Sequence, residues 1–307
     1  MTQEELIDSG LEFALKNTNI NILSKFDSVD IPLGCAFLEV KKNQVKLLDY
    51  KHVDQLRLKQ FLKFLVSSVD SENLDFRFIL NTRDESCDSD FPIVQFFKQK
   101  NSNCICVPDP HTTSLYLDIQ HTDKKTFDEK IDNVVFRGSD TGSYPNVLKN
   151  ERISITKLFH DKFNIGISNF VNYSRESLEY FGLNIDIIKK GFMSKEDQID
   201  YKYIADINGN TVSWDRNMWA MSTNSILFKI FHHNDPKIFL WYSKYMVDNG
   251  IVPVLHSSEV EEFVRQDNTE LLNKQIKFSK ILNLKSTHAD FLNQLFSRYN
   301  FEYNKYN

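Results

Sequence analysis

Long apolar stretches are missing from this sequence. No run of about 18 apolar residues, the length that a membrane-spanning helix needs, occurs in the 307-residue chain. The start, MTQEELIDSG, also lacks the basic stretch and the apolar core of a secretory signal peptide. We therefore expect a cytoplasmic protein without a transmembrane segment, for which contact with a membrane would be peripheral.

An excess of positive charge is missing as well. The 42 aspartates and glutamates outnumber the 37 lysines and arginines, which gives a formal net charge of −5. Nucleic-acid-binding proteins usually carry a basic surface, often interleaved with aromatic residues, and no such stripe occurs here. We expect no nucleic-acid partner, so any anion that the protein binds must be held by a local site.

Clusters of metal-binding side chains are scarce too. The four cysteines include Cys104 and Cys106, but no second pair follows at zinc-ligand spacing. Alternation along a strand places both on one face, which favours buried thiols in a reducing compartment. His232 and His233 cannot both face one ion from a strand, so we interpret them as part of a turn.

The sequence does contain alternating strand-like and helix-like segments. Strand patterns lie at residues 34–40, 75–82, 103–108, 134–136, 201–207, 225–229 and 251–256. Helix patterns lie near the start and at residues 51–69, 147–159, 213 onward, 237–246, 257–266 and 287–303. This order predicts an α/β protein with parallel sheets.

The length of the chain predicts two domains, because single hydrophobic cores stop growing near about 250–300 residues. No linker rich in proline, glycine or serine marks a boundary. The charged segment HTDKKTFDEKIDN (121–133) is typical of a solvated connection. We therefore predict an N-terminal domain over 1–125, a C-terminal domain over 126–285 and a terminal helix over 286–307.

The segment VVFRGSDTG (134–142) is the first candidate binding site, and it holds two of only 9 glycines. A strand that runs into a turn of small residues and then a helix gathers backbone N–H groups, which can bind phosphate. Gly138 and Gly142 would let a ligand approach the main chain, and Arg137 suits a diphosphate. No P-loop or dinucleotide-binding pattern is present, and a tight surface turn is the alternative.

The segment INGNTVSWDR (207–216) is the second candidate. A turn at Asn208 and Gly209 follows a strand, and Ser213 can cap a helix that has Arg216 in its first turn. An arginine there opposes the helix dipole, which favours an anionic ligand nearby. The alternative is a surface arginine paired with Asp215.

The third candidate is FILNTRDESCDSD (78–90). Asp84 follows the end of a strand, where α/β folds place residues that handle ligands, although a plain ion pair with Arg83 is the alternative. Asp88 and Asp90 match the Asp-x-Asp pattern with which some glycosyltransferases hold a divalent ion. Three such letters arise often by chance in an acidic chain.

Five segments in this order resemble glycosyltransferase family 90, which contains protein O-glucosyltransferases and capsule-associated xylosyltransferases. The resemblance covers about residues 75 to 265. Its segments are NTRD (81–84), VVFRGSDTG (134–142), YKYIADINGNTVSWDR (201–216), NSILFK (224–229) and GIVPVLHSSEVEEFV (250–264).

The resemblance implies the GT-B arrangement, in which two Rossmann-like domains face a cleft. The C-terminal domain would hold most of the nucleotide sugar and the N-terminal domain most of the acceptor, and we expect the terminal helix to pack back on the N-terminal domain. The implied activity is an inverting, metal-independent transfer of glucose or xylose from a UDP-sugar to a hydroxyl of a glycan or glycoconjugate. No cofactor would be required.

The family's functional positions transfer to this chain residue by residue. Asp84 falls on the catalytic aspartate, the general base. The implied nucleotide-sugar-binding residues are Arg137, Gly138, Ser139, Thr141, Asn208, Gly209, Ser213, Arg216 and Ser225.

The chain departs from the family pattern at three places. Asp140 stands where the family often has a second arginine, Ser213 and Arg216 are one residue further apart than in its S-x-R motif, and Gly250 replaces a histidine. Two alternatives therefore stay open. One is a non-catalytic module that binds a glycan or nucleotide sugar, and the other is a metal-dependent glycosyltransferase that uses Asp88 and Asp90.

Overall fold

The computed structural model of the protein describes residues 1–18, 30–84, 92–99, 101–109, 123–142, 146–234 and 238–306. The chain divides into two compact units. The first unit consists of 1–119, 237–245 and 281–307, and the second consists of 120–236 and 246–280. Residues 237–245, which the predicted ranges assign to the second domain, thus group with the first unit.

Two five-stranded sheets, one mixed and one entirely parallel, confirm the prediction of an α/β protein. A separate two-stranded pairing belongs to the first unit. The described strands are β1 (Cys35–Lys41), β2 (Gln44–Tyr50), β3 (Asp75–Asn81), β4 (Ile93–Gln95), β5 (Lys98–Gln99), β6 (Ile105–Cys106), β7 (Ile131–Ser139), β8 (Asn164–Asn169), β9 (Tyr201–Asp206), β10 (Ile226–Phe231), β11 (Ile238–Phe239) and β12 (Val254–His256).

The helices alternate with these strands along the chain. Those that the structure describes are α1 (Gln3–Leu15), α2 (Gln55–Ser68), α3 (Glu151–Phe159), α4 (Arg175–Tyr180), α5 (Ile185–Ile188), α6 (Lys195–Gln198), α7 (Arg216–Met221), α8 (Ser243–Asp248), α9 (Val260–Phe263), α10 (Thr269–Leu282) and α11 (Lys285–Tyr306). Within the described part of the chain, no helix has the length and apolarity needed to cross a membrane.

The first unit is built on the mixed sheet, in which the strand order is β2-β1-β3-β4-β6. β1 runs antiparallel to β2 and β3, whereas β3, β4 and β6 run parallel. The carboxyl ends of these three parallel strands therefore share one edge of the sheet.

Aromatic side chains tie the terminal helix to this sheet. Phe76 and Phe78 are buried and lie on one face of β3, as their alternation in the sequence predicts. Phe296 of α11 lies with its ring centroid 5.2 Å from that of Phe76 and 5.4 Å from that of Phe78. Tyr299 donates a hydrogen bond to the carbonyl of Arg77. α11 thus completes the core of the first unit.

The second unit is built on the parallel sheet, in which the strand order is β12-β10-β9-β7-β8. Counted along the chain, this order is 2-1-3-4-5, as in one class of doubly wound folds. In such folds, ligands bind at the carboxyl ends of the first and third strands, where the order of connections reverses. Here those strands are β7 and β9, which are direct neighbours.

One predicted helix, at residues 237–246, is wrong over its first half. Ile238 and Phe239 pair with Gln99 and Lys98 as β11, and helix α8 begins only at Ser243. The Ser243 hydroxyl accepts a hydrogen bond from the Leu240 N–H, which marks the start of the helix. The apolar spacing of this segment is compatible with a helix or a strand, and pairing with β5 determines that its first part forms a strand.

Candidate functional site

Two of the predicted binding segments meet at the carboxyl edge of the parallel sheet. The turn after β7 (140–142) and the loop after β9 (207–213) lie side by side. The Gly142 N–H donates to Oδ1 of Asn210 over 2.9 Å. The two segments singled out in the sequence therefore form one structure at the position where doubly wound folds bind ligands.

Close packing of these two segments requires glycine on both sides. Gly142 has a φ of +104°, and a Cβ atom there would lie 3.0 Å from the carbonyl oxygen of Gly209. A Cβ atom on Gly209 would lie 2.6 Å from Oγ1 of Thr141. The two glycines thus serve contact between two loops of the protein, in addition to any approach of a ligand.

Asp140 stabilises the turn after β7. Its fully buried carboxylate accepts hydrogen bonds from the backbone N–H groups of Val171, Asn172 and Tyr173 at 2.7 to 3.2 Å. The side-chain amide of Asn150, the N-cap residue of α3, donates to the carbonyls of residues 140, 141 and 142. Asp140 is therefore a structural residue of this turn.

The backbone N–H groups of this turn are largely engaged. The Asp140 N–H donates to the carbonyl of Asn169, and the Gly142 N–H donates to Asn210. A phosphate bound here would therefore depend on side chains more than the sequence suggests.

Arg137 ties β7 to β8. It is 8% exposed, and its guanidinium donates to the carbonyls of Gly191, Phe136 and Asn164 and to Oδ1 of Asn164. Burial lowers the pKa of this guanidinium. Binding of a diphosphate by Arg137 would require some of these hydrogen bonds to break.

Arg216 is the first residue of α7, and its guanidinium reaches back to β7. It donates to the carbonyl of Arg137 over 2.7 Å and to Oε1 of Gln198 over 3.1 Å. Its carbon Cζ lies 5.0 Å from the ring centroid of Phe136. No described residue accepts a hydrogen bond from Nε. The predicted alternative partner, Asp215, forms its ion pair with Lys195 instead.

Arg152 is a site residue that the sequence analysis missed. From the first turn of α3 it donates to the carbonyls of Ile207 and Ser139, and to Oγ1 of Thr141 over 2.7 Å. Its Cζ lies 5.7 Å from the ring centroid of Phe136. Burial, together with the charge of Arg216, lowers its pKa to about 10. An arginine in the first turn opposes the helix dipole, the same signal that singled out Arg216.

The two guanidinium groups of Arg152 and Arg216 are not neutralised by direct ion pairs. Among the described residues, neither forms an ion pair with a carboxylate. A buried carboxylate of the same unit, Asp206, binds Nζ of Lys229 over 2.6 Å, and Lys229 also donates to Oδ1 of Asn208. Burial opposes ionisation of Asp206, but Lys229 holds its pKa below the ordinary value. Two half-buried guanidinium groups thus lie at this edge without a direct carboxylate partner among the described residues.

Two of the serines that were predicted to bind the nucleotide sugar lie at opposite edges of the sheet. The hydroxyl of Ser213 donates to the carbonyl of Ile207, within the loop after β9. Ser225 precedes β10 and donates to the carbonyls of Ile199 and Tyr201, at the amino-end edge of the sheet. The structure therefore does not bring Ser225 together with the arginines.

Asp84 lies in the first unit, just beyond the carboxyl end of β3. Its carboxylate is 43% exposed and accepts a 2.5 Å hydrogen bond from Nη1 of Arg57. The expected alternative partner, Arg83, donates instead to the carbonyl of His52. Asp88 and Asp90 lie outside the described residues, so the Asp-x-Asp pattern has no structural description.

A cavity of about 410 Å³ lies elsewhere on the second unit, along the outer side of α3. Its lining includes Ile153, Ser154, Lys157, Leu183 and His232. None of the arginines belongs to it. The chemistry of the guanidinium groups, rather than this cavity, therefore defines the candidate site.

Comparison of the sequence with models of protein families and with curated proteins finds no match in either. The resemblance to glycosyltransferase family 90 therefore depends on the short segments alone.

Proposed function

We propose that the protein is an inverting glycosyltransferase that uses a UDP-sugar donor and binds the diphosphate at the carboxyl edge of the second unit. One observation carries the proposal. Arg152 and Arg216 are held close to Phe136, at the point where doubly wound folds bind ligands, and no carboxylate forms an ion pair with either group among the described residues. Guanidinium groups suit the paired oxygens of phosphate.

The surroundings of the two arginines favour an acceptor-rich ligand. Lys229 binds the oxygen of the Asn208 carboxamide, so the amide N–H groups of Asn208 are free to face a ligand. The oxygen of the Asn210 carboxamide is likewise occupied by the Gly142 N–H. Fixed donors of this kind stabilise the negative charge that develops on departing UDP. We therefore propose transfer without a metal ion.

Asp84 is the general base in this proposal. It would accept the proton of the acceptor hydroxyl as that oxygen bonds to the anomeric carbon. The bond from this carbon to the phosphate oxygen breaks at the same time, and UDP leaves with the electron pair. The partly exposed carboxylate at a strand end supports this role. The GT-B arrangement, and glucose or xylose as the sugar, are parts of the proposal that follow from the resemblance.

UDP binding tests the proposal directly. Isothermal titration with UDP should give a saturable signal for the wild type, and Arg152→Met and Arg216→Met should each weaken binding by about 10- to 100-fold, the loss expected for a hydrogen bond to a charged group. Arg265→Gln, which changes an exposed arginine of the same unit, is the matched control. Absence of UDP binding by the wild type would contradict the proposal.

Turnover separates the enzyme from the two alternatives. UDP release should be measured with UDP-glucose, UDP-xylose, UDP-galactose and UDP-GlcNAc, with and without EDTA. Release that persists in EDTA supports metal-independent transfer, and release that requires added Mn²⁺ favours the Asp-x-Asp alternative. UDP binding without turnover on any acceptor favours a binding module.

A further inference from the structure

The cavity along α3 is a second candidate binding site, separate from the arginines. Its volume of about 410 Å³ falls within the range of small-molecule sites, roughly 300–1,000 Å³. Helix α3 and the residues that follow it contribute most of the lining, together with Val147, Leu148, Leu183 and His232. Such sites are usually apolar with a few polar groups, and the lining has both kinds of side chain.

Aliphatic side chains form the apolar part of the lining. They are Val147, Leu148, Ile153, Leu158 and Leu183. Val147, Ile153 and Leu183 belong to a buried cluster of the second unit. Leu148 and Leu158, by contrast, are 52% and 44% exposed. The lining therefore leaves apolar surface in contact with water, which a hydrocarbon group of a ligand would cover.

Two nitrogen groups of the lining have no partner among the described residues. Lys157 is exposed, and no described residue forms an ion pair or a hydrogen bond with its ammonium. His232 uses Nδ1 in a 2.7 Å hydrogen bond with Oγ of Ser257, and no described residue binds its Nε2. An ammonium donates, and Nε2 donates when it carries the proton. Both groups can therefore bind the oxygens of a carboxylate.

Asp161 is the acidic side chain of the lining, and it does not neutralise Lys157. The two residues are four apart in sequence, but no ion pair joins them in the described part of the chain. Asp161 lies close enough to Glu261 to affect its ionisation. A hydrogen bond from Lys162 lowers the pKa of Glu261, and the charge of Asp161 opposes this effect. The ammonium of Lys157 thus favours an anionic group in the cavity.

We propose that this cavity binds an aliphatic carboxylate, a molecule with a hydrocarbon chain and one terminal carboxylate group. The carboxylate accepts hydrogen bonds from Nζ of Lys157 and Nε2 of His232, and the chain covers the leucines of the lining. This binding does not depend on sugar transfer, because the arginines of the proposed UDP site take no part in it.

Octanoate is a suitable probe for the full chain, and octan-1-ol, which has the same chain without the charge, is its matched control. Isothermal titration should show saturable binding of octanoate and binding at least about tenfold weaker for octan-1-ol, because hydrogen bonds to a charged group are lost. Propionate keeps the carboxylate but lacks most of the chain. It should also bind at least about tenfold more weakly than octanoate.

Substitutions at exposed positions test the two parts of the lining. Lys157→Met keeps the apolar stem but removes the charge, and it should weaken octanoate binding about tenfold. Leu158→Gln should weaken octanoate binding several-fold, because the chain loses apolar contact. Lys277→Met changes an exposed lysine of α10 in the same unit and should bind octanoate as the wild type does.

The absence of saturable octanoate binding by the wild type would overturn the proposal. Equal affinities for octanoate and octan-1-ol would also overturn it, as would equal octanoate affinities in wild type and Lys157→Met. Displacement of octanoate by UDP would place it at the arginines and would be equally decisive against the cavity. Octanoate binding by a protein that does not bind UDP would support this site and contradict the proposed function alone.

Discussion

The carboxyl edges of the two sheets carry opposite electrostatic arrangements on similar backbone frameworks. In the second unit, Arg152 and Arg216 lie beside an aromatic ring without carboxylate partners among the described residues. In the first unit, the guanidinium of Arg57 is shared by the carboxylates of Asp84 and Asp109. The two edges thus differ in whether their arginines form ion pairs with carboxylates.

Removal of the Asp84 carboxylate should have the largest effect on function. We expect Asp84→Asn to lower sugar transfer by about 10²- to 10⁴-fold, because general-base help is lost, and to leave UDP affinity unchanged. Transfer rates and UDP titration measure the two outcomes separately. A matched loss of UDP affinity would break the assignment of base and anion to different edges. Asp49→Asn, on the exposed side of β2, is a suitable control.

Asp140→Ala should cause the largest loss of stability. It removes the buried acceptor for three backbone N–H groups, so we expect the free energy of unfolding in urea to fall by about 3–5 kcal/mol. UDP binding should weaken with it, because the turn after β7 loses its support. Asp128→Ala, at an exposed position, should change stability little. A small effect of Asp140→Ala would show that this edge does not depend on a preorganised turn.

Gly142→Ala should destabilise the protein by about 1–3 kcal/mol, because the backbone there is left-handed and a Cβ atom would crowd the carbonyl of Gly209. Urea unfolding measures the change. Gly191→Ala, where a Cβ atom meets open space, is the matched control and should be nearly neutral. Equal effects of the two substitutions would mean that the two loops do not pack as described.

Lys98 of the first unit is also a buried cation, but its hydrogen bonds within the protein explain why it is buried. Its ammonium donates to the carbonyls of Ala14 and Lys16, at the end of α1. Burial lowers its pKa to about 8, below the unfolded value of 10.5. Between these pH values the unfolded chain binds more protons, so stability from this group rises with pH.

Lys98→Met removes this contribution. The stability of the wild type relative to Lys98→Met should rise by about 2–3 kcal/mol as pH increases from about 8 to about 10.5. Urea unfolding of both chains across this range provides the measurement. A difference that is independent of pH would show that burial does not shift this lysine.

A change in ionic strength should have the smallest effect. A rise in NaCl from about 50 to about 500 mM should weaken UDP binding several-fold through screening. Titrations at both salt concentrations test this. UDP affinity that does not change with salt would contradict binding of the diphosphate by the arginines.

Local sequence patterns identified two segments that the structure places side by side in the second unit, but not the contacts between them. A strand followed by small residues and an arginine indicated the turn after β7, and the turn at Asn208 indicated the loop after β9. Contact between these segments, through Gly142 and Asn210, depends on strand order, which no local pattern encodes. The engagement of Arg137 by β8 was equally hidden, because Asn164 and Gly191 lie far along the chain.

Short or partly exposed strands were the elements that sequence patterns missed. β2 consists mostly of exposed residues, and β8 (NIGISN) mixes apolar with small polar residues. Both are stabilised by pairing with neighbouring strands rather than by intrinsic preference.

The path of the chain between the units has a consequence for biosynthesis. Segments 237–245 and 281–307 both belong to the first unit, although the second unit is synthesised before and between them. Phe76 and Phe78 therefore emerge from the ribosome more than two hundred residues before their partner Phe296. The core of the first unit therefore stays incompletely covered during synthesis until α11 has been made.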